Sequence, residues 1–192
     1  YQFKKDTGFD RVVLDCITSL ENGADLLWIE TEKPNVRQIA EMVSAIREKQ
    51  PQAKLVYNNS PSFNWTLSFR EQVYQEWVES GKDVSDYPDP AKDPKGLMDK
   101  KFDESELAIE ADKYIQNFQK DASKEAGIFH HLITLPTYHE TALGTSVLSE
   151  GYFGEQGMLA YVKEIQRQEI RREMSSVKHQ DLAGSTVGDT HK

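Results

Sequence analysis

The stretch Ala53-Lys54-Leu55-Val56-Tyr57-Asn58-Asn59-Ser60-Pro61-Ser62 decides the fold. Its first half is a short apolar run of the kind that forms a buried strand, and its second half is rich in side chains that donate hydrogen bonds. In a barrel or a doubly wound sheet, the loops that leave the carboxyl ends of the parallel strands hold the ligand. The stretch therefore predicts a strand followed directly by a binding loop.

Apolar runs and helical patterns alternate on both sides of this stretch. Helical spacing at Val13, Leu14, Ile17 and Leu20 ends at Gly23, and a second helix is expected between Pro34 and Pro51. Strands are predicted within three short runs, Ala24–Ile29, Lys54–Tyr57 and Ile128–Leu135, of which the first reads as buried on both faces. This alternation predicts an α/β fold with parallel strands joined by helical crossovers.

The remaining organisation follows from changes in composition. Residues 66–126 are strongly charged, with prolines near the middle, and we read them as a helix, a loop and a second helix that starts after Asp103 with Glu106 placed as in a capping box. This segment is longer than a usual crossover, so we expect it to project from the main fold. The predicted parts are strand-helix units at 1–65, the charged insert at 66–126, a strand at 127–135, helices at 136–174 and a mobile tail or lid at 175–192.

Composition excludes several classes of protein. A net charge of -9 over 192 residues argues against a nucleic-acid partner or an anionic membrane surface, because either would select a basic face. The sequence has no apolar run of membrane-spanning length, and Tyr1–Asp10 lacks the apolar core of a signal peptide. Cys16 is the only cysteine, which fits a reducing compartment and a cytoplasmic protein, and its helical context predicts a small buried residue.

Candidate site residues stand where the predicted strands end. These are Glu30, Asn58, Ser60, Ser62 and Thr134, which a parallel sheet would bring to one edge. Neutral donors with one carboxylate suit a ligand rich in carboxylate oxygens. Other interpretations stay open, because the amide and the serines could cap a helix or shape a turn around a proline, and the glutamate could simply be solvated.

The histidines give a weaker signal. His130 and His131 are adjacent in a predicted strand, so their side chains should face opposite ways, and His139 lies on a predicted helix. Their spacing does not indicate a metal site.

Five motifs, in order, resemble those of the isocitrate lyase family. Residues 24–31 are similar to the family's Ala-Asp-Leu-hydrophobic-Trp-x-Glu-Thr, and residues 58–65 to its Asn-x-Ser-Pro-Ser-Phe-Asn-Trp run, in which a cysteine often stands where Asn59 is here. The other three are Ile133-Thr134-Leu135, Gly151-Tyr152 with Gly157-Met158-x-x-Tyr161-Val162, and Val177-Lys178-His179-Gln180. The match runs nearly end to end, except across the charged insert, which looks like that of the larger bacterial form.

The departures from the family pattern indicate a partial chain. The family's catalytic cysteine lies in a Lys-Lys-Cys-Gly-His motif that does not occur here, and Cys16 does not match it. A (β/α)8 barrel needs about 250 residues, whereas only three strands are predicted. The resemblance thus implies the C-terminal portion of a TIM-type barrel with a helical insert and C-terminal helices, without the catalytic cysteine or the magnesium ligands, and inactive by itself.

For the full-length protein, the resemblance implies magnesium-assisted cleavage of isocitrate to glyoxylate and succinate, the first step of the glyoxylate cycle, in a homotetramer that exchanges helices. It implies that Asn58, Ser60, Ser62 and Thr134 hold the succinate carboxylates, with Glu30 in the same pocket. The alternatives are a related lyase such as one acting on methylisocitrate, or a fragment that only binds or oligomerises. A serine hydrolase is disfavoured because neither serine beside Pro61 has a nucleophile-elbow context.

Overall fold

The computed structural model describes residues 8–190, and the chain divides into two units that meet between Thr134 and Leu135. Residues 1–7 and 191–192 lie outside this description, as do the parts of the signal-peptide and tail expectations that fall on them.

The first unit is built on a three-stranded parallel sheet in the order β1-β2-β3. Ile29 pairs with Tyr57 across β1 and β2, and Asn58 pairs with Leu132 across β2 and β3. The elements, in chain order, are α1 (Phe9–Glu21), β1 (Leu27–Ile29), α2 (Val36–Lys49), β2 (Leu55–Asn58), α3 (Trp65–Glu79), short 3-10 turns at Gly96–Met98 and Lys100–Phe102, α4 (Glu106–Ala126) and β3 (His130–Leu132). The predicted parallel α/β arrangement is confirmed, with helices forming most of the unit.

Side-chain caps explain where two of the helices start. Asn35 accepts a hydrogen bond from the backbone nitrogen of Gln38 at the start of α2, at 3.0 Å. Ser105 does the same for α4, accepting from Ala108 N at 3.2 Å. The prediction that Glu106 completes a capping box was wrong, because Ser105 is the cap and Glu106 is the first helical residue.

Two predicted inward faces also needed correction. Trp28 lies in the middle of β1 and is 47% exposed, so this strand is buried on one face rather than on both. In α1 the buried positions are Val12 and Cys16, whereas Leu14 is exposed. The expectation that Cys16 is a small buried residue is confirmed, and burial raises the pKa of its thiol.

Both helices of the charged segment pack into the core of the first unit. The buried residues that share this core include Ile39 and Ile46 of α2, Tyr57 of β2, Phe69, Val73 and Trp77 of α3, and Leu107, Ala111 and Phe118 of α4. The expectation that the segment projects from the fold was therefore wrong for α3 and α4, because α3 packs on α4, α4 packs on α2, and the apolar side chains of both helices belong to the core.

The second unit is helical. Its elements are α5 (Pro136–Tyr152), α6 (Met158–Tyr161), a π-helical turn (Val162–Gln166), α7 (Arg167–Arg171), a 3-10 turn (Ser175–Lys178), α8 (His179–Leu182) and α9 (Ser185–Thr190). The two predicted helical stretches are present, and the mobility of the tail remains a prediction. None of the helices within residues 8–190 combines the length and the hydropathy that a membrane crossing requires.

Candidate functional site

Three strand ends converge on the carboxamide of Asn58. Its Nδ2 donates a hydrogen bond to Glu30 Oε2 at 2.8 Å, and its Oδ1 accepts one from the Thr134 hydroxyl at 3.2 Å. Glu30 directly follows β1, Asn58 ends β2 and Thr134 lies just beyond β3, so the parallel register places all three at one edge of the sheet. The structure thus brings together three of the five candidate residues.

The partners of Asn58 also fix the orientation of its amide. A carboxylate oxygen only accepts hydrogen bonds, so the atom that faces Glu30 is the nitrogen, and the oxygen accepts from Thr134. The carboxamide of Asn58 has two N–H groups, and the one that does not bind Glu30 is left to donate to a ligand. Asn58 is 5% exposed, so its side chain is almost completely shielded from solvent.

Ser60 and Ser62 form a pair within the loop that follows β2. Their hydroxyl oxygens lie 2.7 Å apart. Ser62 N also donates to Ser60 Oγ at 3.3 Å, so the Ser60 side chain helps to shape the turn around Pro61. Trp65 Nε1 donates to the Ser60 carbonyl at 2.9 Å and anchors the loop to α3. The capping role that had stayed open for these residues belongs to Asn64, which accepts from Leu67 N at 3.1 Å.

Sequence reasoning missed a buried hydrogen bond on the other face of the sheet. Tyr57 OH lies 2.7 Å from Thr31 Oγ1, and both side chains are fully buried. Burial, the largest effect, raises the pKa of Tyr57 to about 12, so the phenol stays protonated at neutral pH. The available signal was the alternation along β2, which turns Tyr57 away from the face that Asn58 occupies.

Asn59 differs from its neighbours because both polar atoms of its side chain are buried without a hydrogen-bond partner. Its backbone nitrogen donates to Leu132 O at 2.7 Å, which continues the pairing of β2 with β3 by one residue. A buried amide without partners is destabilising. The resemblance had marked this position as one where related sequences often carry a cysteine, which has no such requirement.

The histidines do not assemble a metal site. His130 is exposed, whereas the ring of His131 packs against Tyr57 and Phe118, and its Nε2 lies 3.2 Å from Ile128 O. Burial lowers the pKa of His131. Across the described residues, 8–190, no group of three or more histidine, cysteine, aspartate or glutamate side chains is arranged to hold a metal ion.

The fold and this edge define the class. Polar side chains that meet at the carboxyl ends of parallel strands are typical of α/β proteins that bind their ligand there. The isocitrate lyase family model matches residues 3–84 and 100–192, so this chain belongs to the isocitrate lyase family.

Individual relatives agree with the family assignment. The chain is 63% identical, over all 192 residues, to the protein named isocitrate lyase of Pseudomonas aeruginosa, and it covers 35% of that relative. It is 29% identical to isocitrate lyase of Oryza sativa subsp. japonica over 166 residues, and this alignment covers 86% of the chain and 22% of the relative. It is 32% identical over 166 residues to the mitochondrial 2-methylisocitrate lyase of Hypocrea atroviridis, with the same two shares. The chain therefore spans about a third or less of the length of these relatives.

Proposed function

We propose that the full-length protein containing this chain is a carbon-carbon lyase that cleaves isocitrate to glyoxylate and succinate in the glyoxylate cycle. The observation that carries this proposal is the 63% identity, over the whole chain, to a protein named isocitrate lyase. The convergence of Asn58 and Thr134 at the strand ends supports it, because these are neutral donors suited to carboxylate oxygens.

The chemistry assigns a role to each candidate residue. When the substrate hydroxyl loses its proton and the carbon-carbon bond breaks, negative charge moves onto the fragment that becomes succinate. The second N–H of Asn58 and the one hydroxyl proton left over from the Ser60–Ser62 hydrogen bond would stabilise that charge. The Thr134 hydroxyl, which donates to Asn58 Oδ1 in this structure, would have to rotate toward the ligand to add a third donor. Glu30 holds Asn58 and has no assigned role in proton transfer.

The catalytic cysteine and the magnesium ligands of this proposal belong to the part of the protein beyond this chain. Glu30 is the carboxylate bonded to Asn58, and the described residues offer no cluster that fits a metal ion. The residues of this chain therefore do not fit a magnesium site by themselves, and magnesium enters the proposal only through the rest of the protein. We expect the 192-residue chain alone to be inactive.

A complete TIM-type barrel and a homotetramer are part of the same proposal. Within the described residues, β1 and β3 are the outer strands of the sheet, so each has one side on which further strands of a longer chain could pair. The second unit exposes many apolar side chains, among them Leu143 and Phe153, which suits packing against other subunits. The acidic charge and single buried Cys16 suit a cytoplasmic enzyme.

The test is glyoxylate release from isocitrate, with magnesium present, by the full-length protein. Ser60→Ala and Ser62→Ala should each lower turnover by about a hundredfold, because each breaks the hydrogen-bonded pair that directs its one remaining proton to the developing charge. Ser80→Ala is the matched control, since its hydroxyl donates to Trp77 O at the end of α3. Turnover within a few-fold of normal in both site variants would refute the donor assignment.

A lyase acting on methylisocitrate is the second candidate, favoured by the relative of that name. Parallel assays with isocitrate and methylisocitrate decide between the two. A higher kcat/KM for methylisocitrate would replace the first proposal.

A further inference from the structure

The two residues that follow β1, Glu30 and Thr31, form hydrogen bonds with the last two residues of β2, Asn58 and Tyr57. The two hydrogen bonds lie on opposite faces of the sheet. Glu30 is bound by Asn58 on one face, and Thr31 is bound by Tyr57 on the face covered by α4. Alternation along a strand requires this arrangement, because the side chains of Tyr57 and Asn58 point to opposite sides.

The direction of the hydrogen bonds at Thr31 follows from its proton count. The Thr31 hydroxyl lies 2.6 Å from Lys33 O, and a carbonyl only accepts, so the single hydroxyl proton goes there. Tyr57 must then donate to Thr31. Tyr57 thus donates to Thr31, and Thr31 donates to the Lys33 carbonyl. These two hydrogen bonds stabilise the turn that follows β1.

The Tyr57 ring has little freedom to move. It is fully buried, with its centroid 5.7 Å from that of Phe118 and 6.1 Å from that of His131. A rigid aromatic donor with its hydroxyl at the turn can fix the backbone from which Glu30 extends. An unpinned turn would let the carboxylate move away from Asn58.

We infer that Tyr57 and Thr31 are positioning residues that hold the Glu30 carboxylate against Asn58 Nδ2 and so fix the Asn58 carboxamide for a carboxylate ligand. This inference rests on the proposed function for the identity of that ligand. It extends the site to two residues that do not touch the ligand. The contacts that carry it are the 2.7 Å and 2.6 Å hydrogen bonds of Thr31 and the 2.8 Å hydrogen bond between Asn58 and Glu30.

The experiment compares four variants of the full-length protein. Tyr57→Phe and Thr31→Val should each lower kcat for isocitrate at least about tenfold, because a small misplacement of a binding group is enough to slow turnover. Their double variant should lose no more than the stronger single variant, since both break one chain of hydrogen bonds. Thr31→Ser keeps the hydroxyl and should restore kcat to within about twofold of the wild type.

Tyr114→Phe is the matched control for the loss of a tyrosine hydroxyl. Tyr114 OH donates to Glu76 Oε2 at 2.9 Å, between α4 and α3, and takes no part in the contacts around Asn58. Its kcat should stay within about twofold of the wild type. An equal loss of kcat in Tyr114→Phe and Tyr57→Phe, or normal kcat in Tyr57→Phe and Thr31→Val, would overturn the inference.

Crystal structures of the variants separate this inference from the proposed function. If the wild-type protein released no glyoxylate, the proposed function would fail, and the separation of Asn58 Nδ2 from Glu30 Oε2 would still decide the positioning role. We expect this separation to lengthen beyond hydrogen-bonding distance in Tyr57→Phe and in Thr31→Val, and to remain near 2.8 Å in Thr31→Ser. A retained contact in both of the first two variants would refute it. If Tyr57→Phe does not fold, the two Thr31 variants give the same test.

Discussion

The two units differ in how much of their apolar surface is buried: residues 8–134 bury most of their large apolar side chains, whereas residues 135–190 expose theirs. The first unit buries aliphatic and aromatic residues from four helices and two strands in one core. In the second unit, Ala160 is the one hydrophobic residue among those described that is fully buried, while Leu143, Phe153 and Met158 are exposed. The first unit therefore contains the interactions that stabilise it, and the second presents surfaces that gain stability only when something else covers them.

The chain offers a direct way to observe the two units separately. All three tryptophans, Trp28, Trp65 and Trp77, lie in the first unit, whereas helices occur in both. Tryptophan fluorescence in a urea titration thus reports the unfolding of residues 8–134, and far-ultraviolet circular dichroism reports both units.

The largest expected effect comes from one substitution made in each unit. Phe118→Ala, at a side chain that is 2% exposed, should lower the free energy of unfolding by about 3–5 kcal/mol because it leaves a cavity between α4 and the sheet. Phe153→Ala, at a side chain that is 84% exposed, should change it by less than about 0.5 kcal/mol. The fluorescence transition measures the loss in Phe118→Ala, and the circular dichroism transition measures the effect of Phe153→Ala. Similar losses in the two variants would remove the contrast between the units.

A smaller effect is expected where a buried arginine holds the loop before α4. Arg70 Nη1 donates to Leu97 O at 2.6 Å and Nη2 to Asp103 Oδ1 at 2.8 Å, with Arg70 itself buried. Asp103→Ala should lower the free energy of unfolding by about 1–2 kcal/mol, since Asp103 is 55% exposed and solvent screens the pair.

The matched variant for this ion pair lies in the second unit. Glu150→Ala removes the exposed hydrogen bond from Ser146 Oγ, at 3.2 Å, and should change the circular dichroism transition by less than about 0.5 kcal/mol. If Asp103→Ala lowered the free energy of unfolding no more than Glu150→Ala, burial of Arg70 would add nothing to the stability that its hydrogen bond to Asp103 provides.

Asn59→Cys should stabilise the first unit. The substitution replaces a buried amide that has no hydrogen-bond partner by a small apolar side chain, and we expect a gain of about 1 kcal/mol. Asn59→Asp should act in the opposite direction, because it buries a charge at the same place. A destabilising cysteine would indicate that the amide makes a contact that the structure does not show.

The smallest effect should be a pH dependence confined to the first unit. Burial lowers the pKa of His131 from its ordinary 6.5, so below that pH the unfolded chain binds more protons than the folded one. Its contribution to stability is therefore complete above about pH 6.5 and is lost as the pH falls toward the folded pKa.

His131→Phe should make the pH dependence of the free energy of unfolding shallower below pH 6.5. The difference in slope should stay well under about 1.4 kcal/mol per pH unit, the limit for one proton. Urea titrations at pH 8, where His131 is neutral in both states, measure the pH-independent difference in the free energy of unfolding between the variant and the wild type. An unchanged slope at acid pH would contradict the prediction.

Sequence patterns predicted those features that depend on local periodicity. The apolar run Lys54–Tyr57 and the polar residues after it were enough to place Asn58 at a strand end, and the alternation of helices and strands predicted that Glu30 and Thr134 would lie beside it. These predictions succeed because parallel strands bring their carboxyl ends to one edge whatever the details of packing.

Features that depend on distant partners could not be predicted in the same way. Asp103 resembles a helix cap in sequence, but Arg70 of α3 binds it, and Ser105 takes the cap. The hydrogen bond between Tyr57 and Thr31 joins residues 26 positions apart, and the alternation along β2 indicated only the face on which Tyr57 lies. Charge dominates the composition of residues 66–126 and concealed the apolar faces that belong to the core.

The π-helical turn at Val162–Gln166 has a consequence for engineering and for comparing sequences. A π turn contains one residue more than an α-helical turn of the same rise, and each α-helical residue advances the helix by about 100°. Deleting one residue within 162–166 should therefore give a regular helix from Met158 to Arg171 while keeping the side chains of α6 and α7 in nearly their present directions. Relatives that are one residue shorter at this point would then present the same two faces, so a single gap in a sequence alignment would mark the turn.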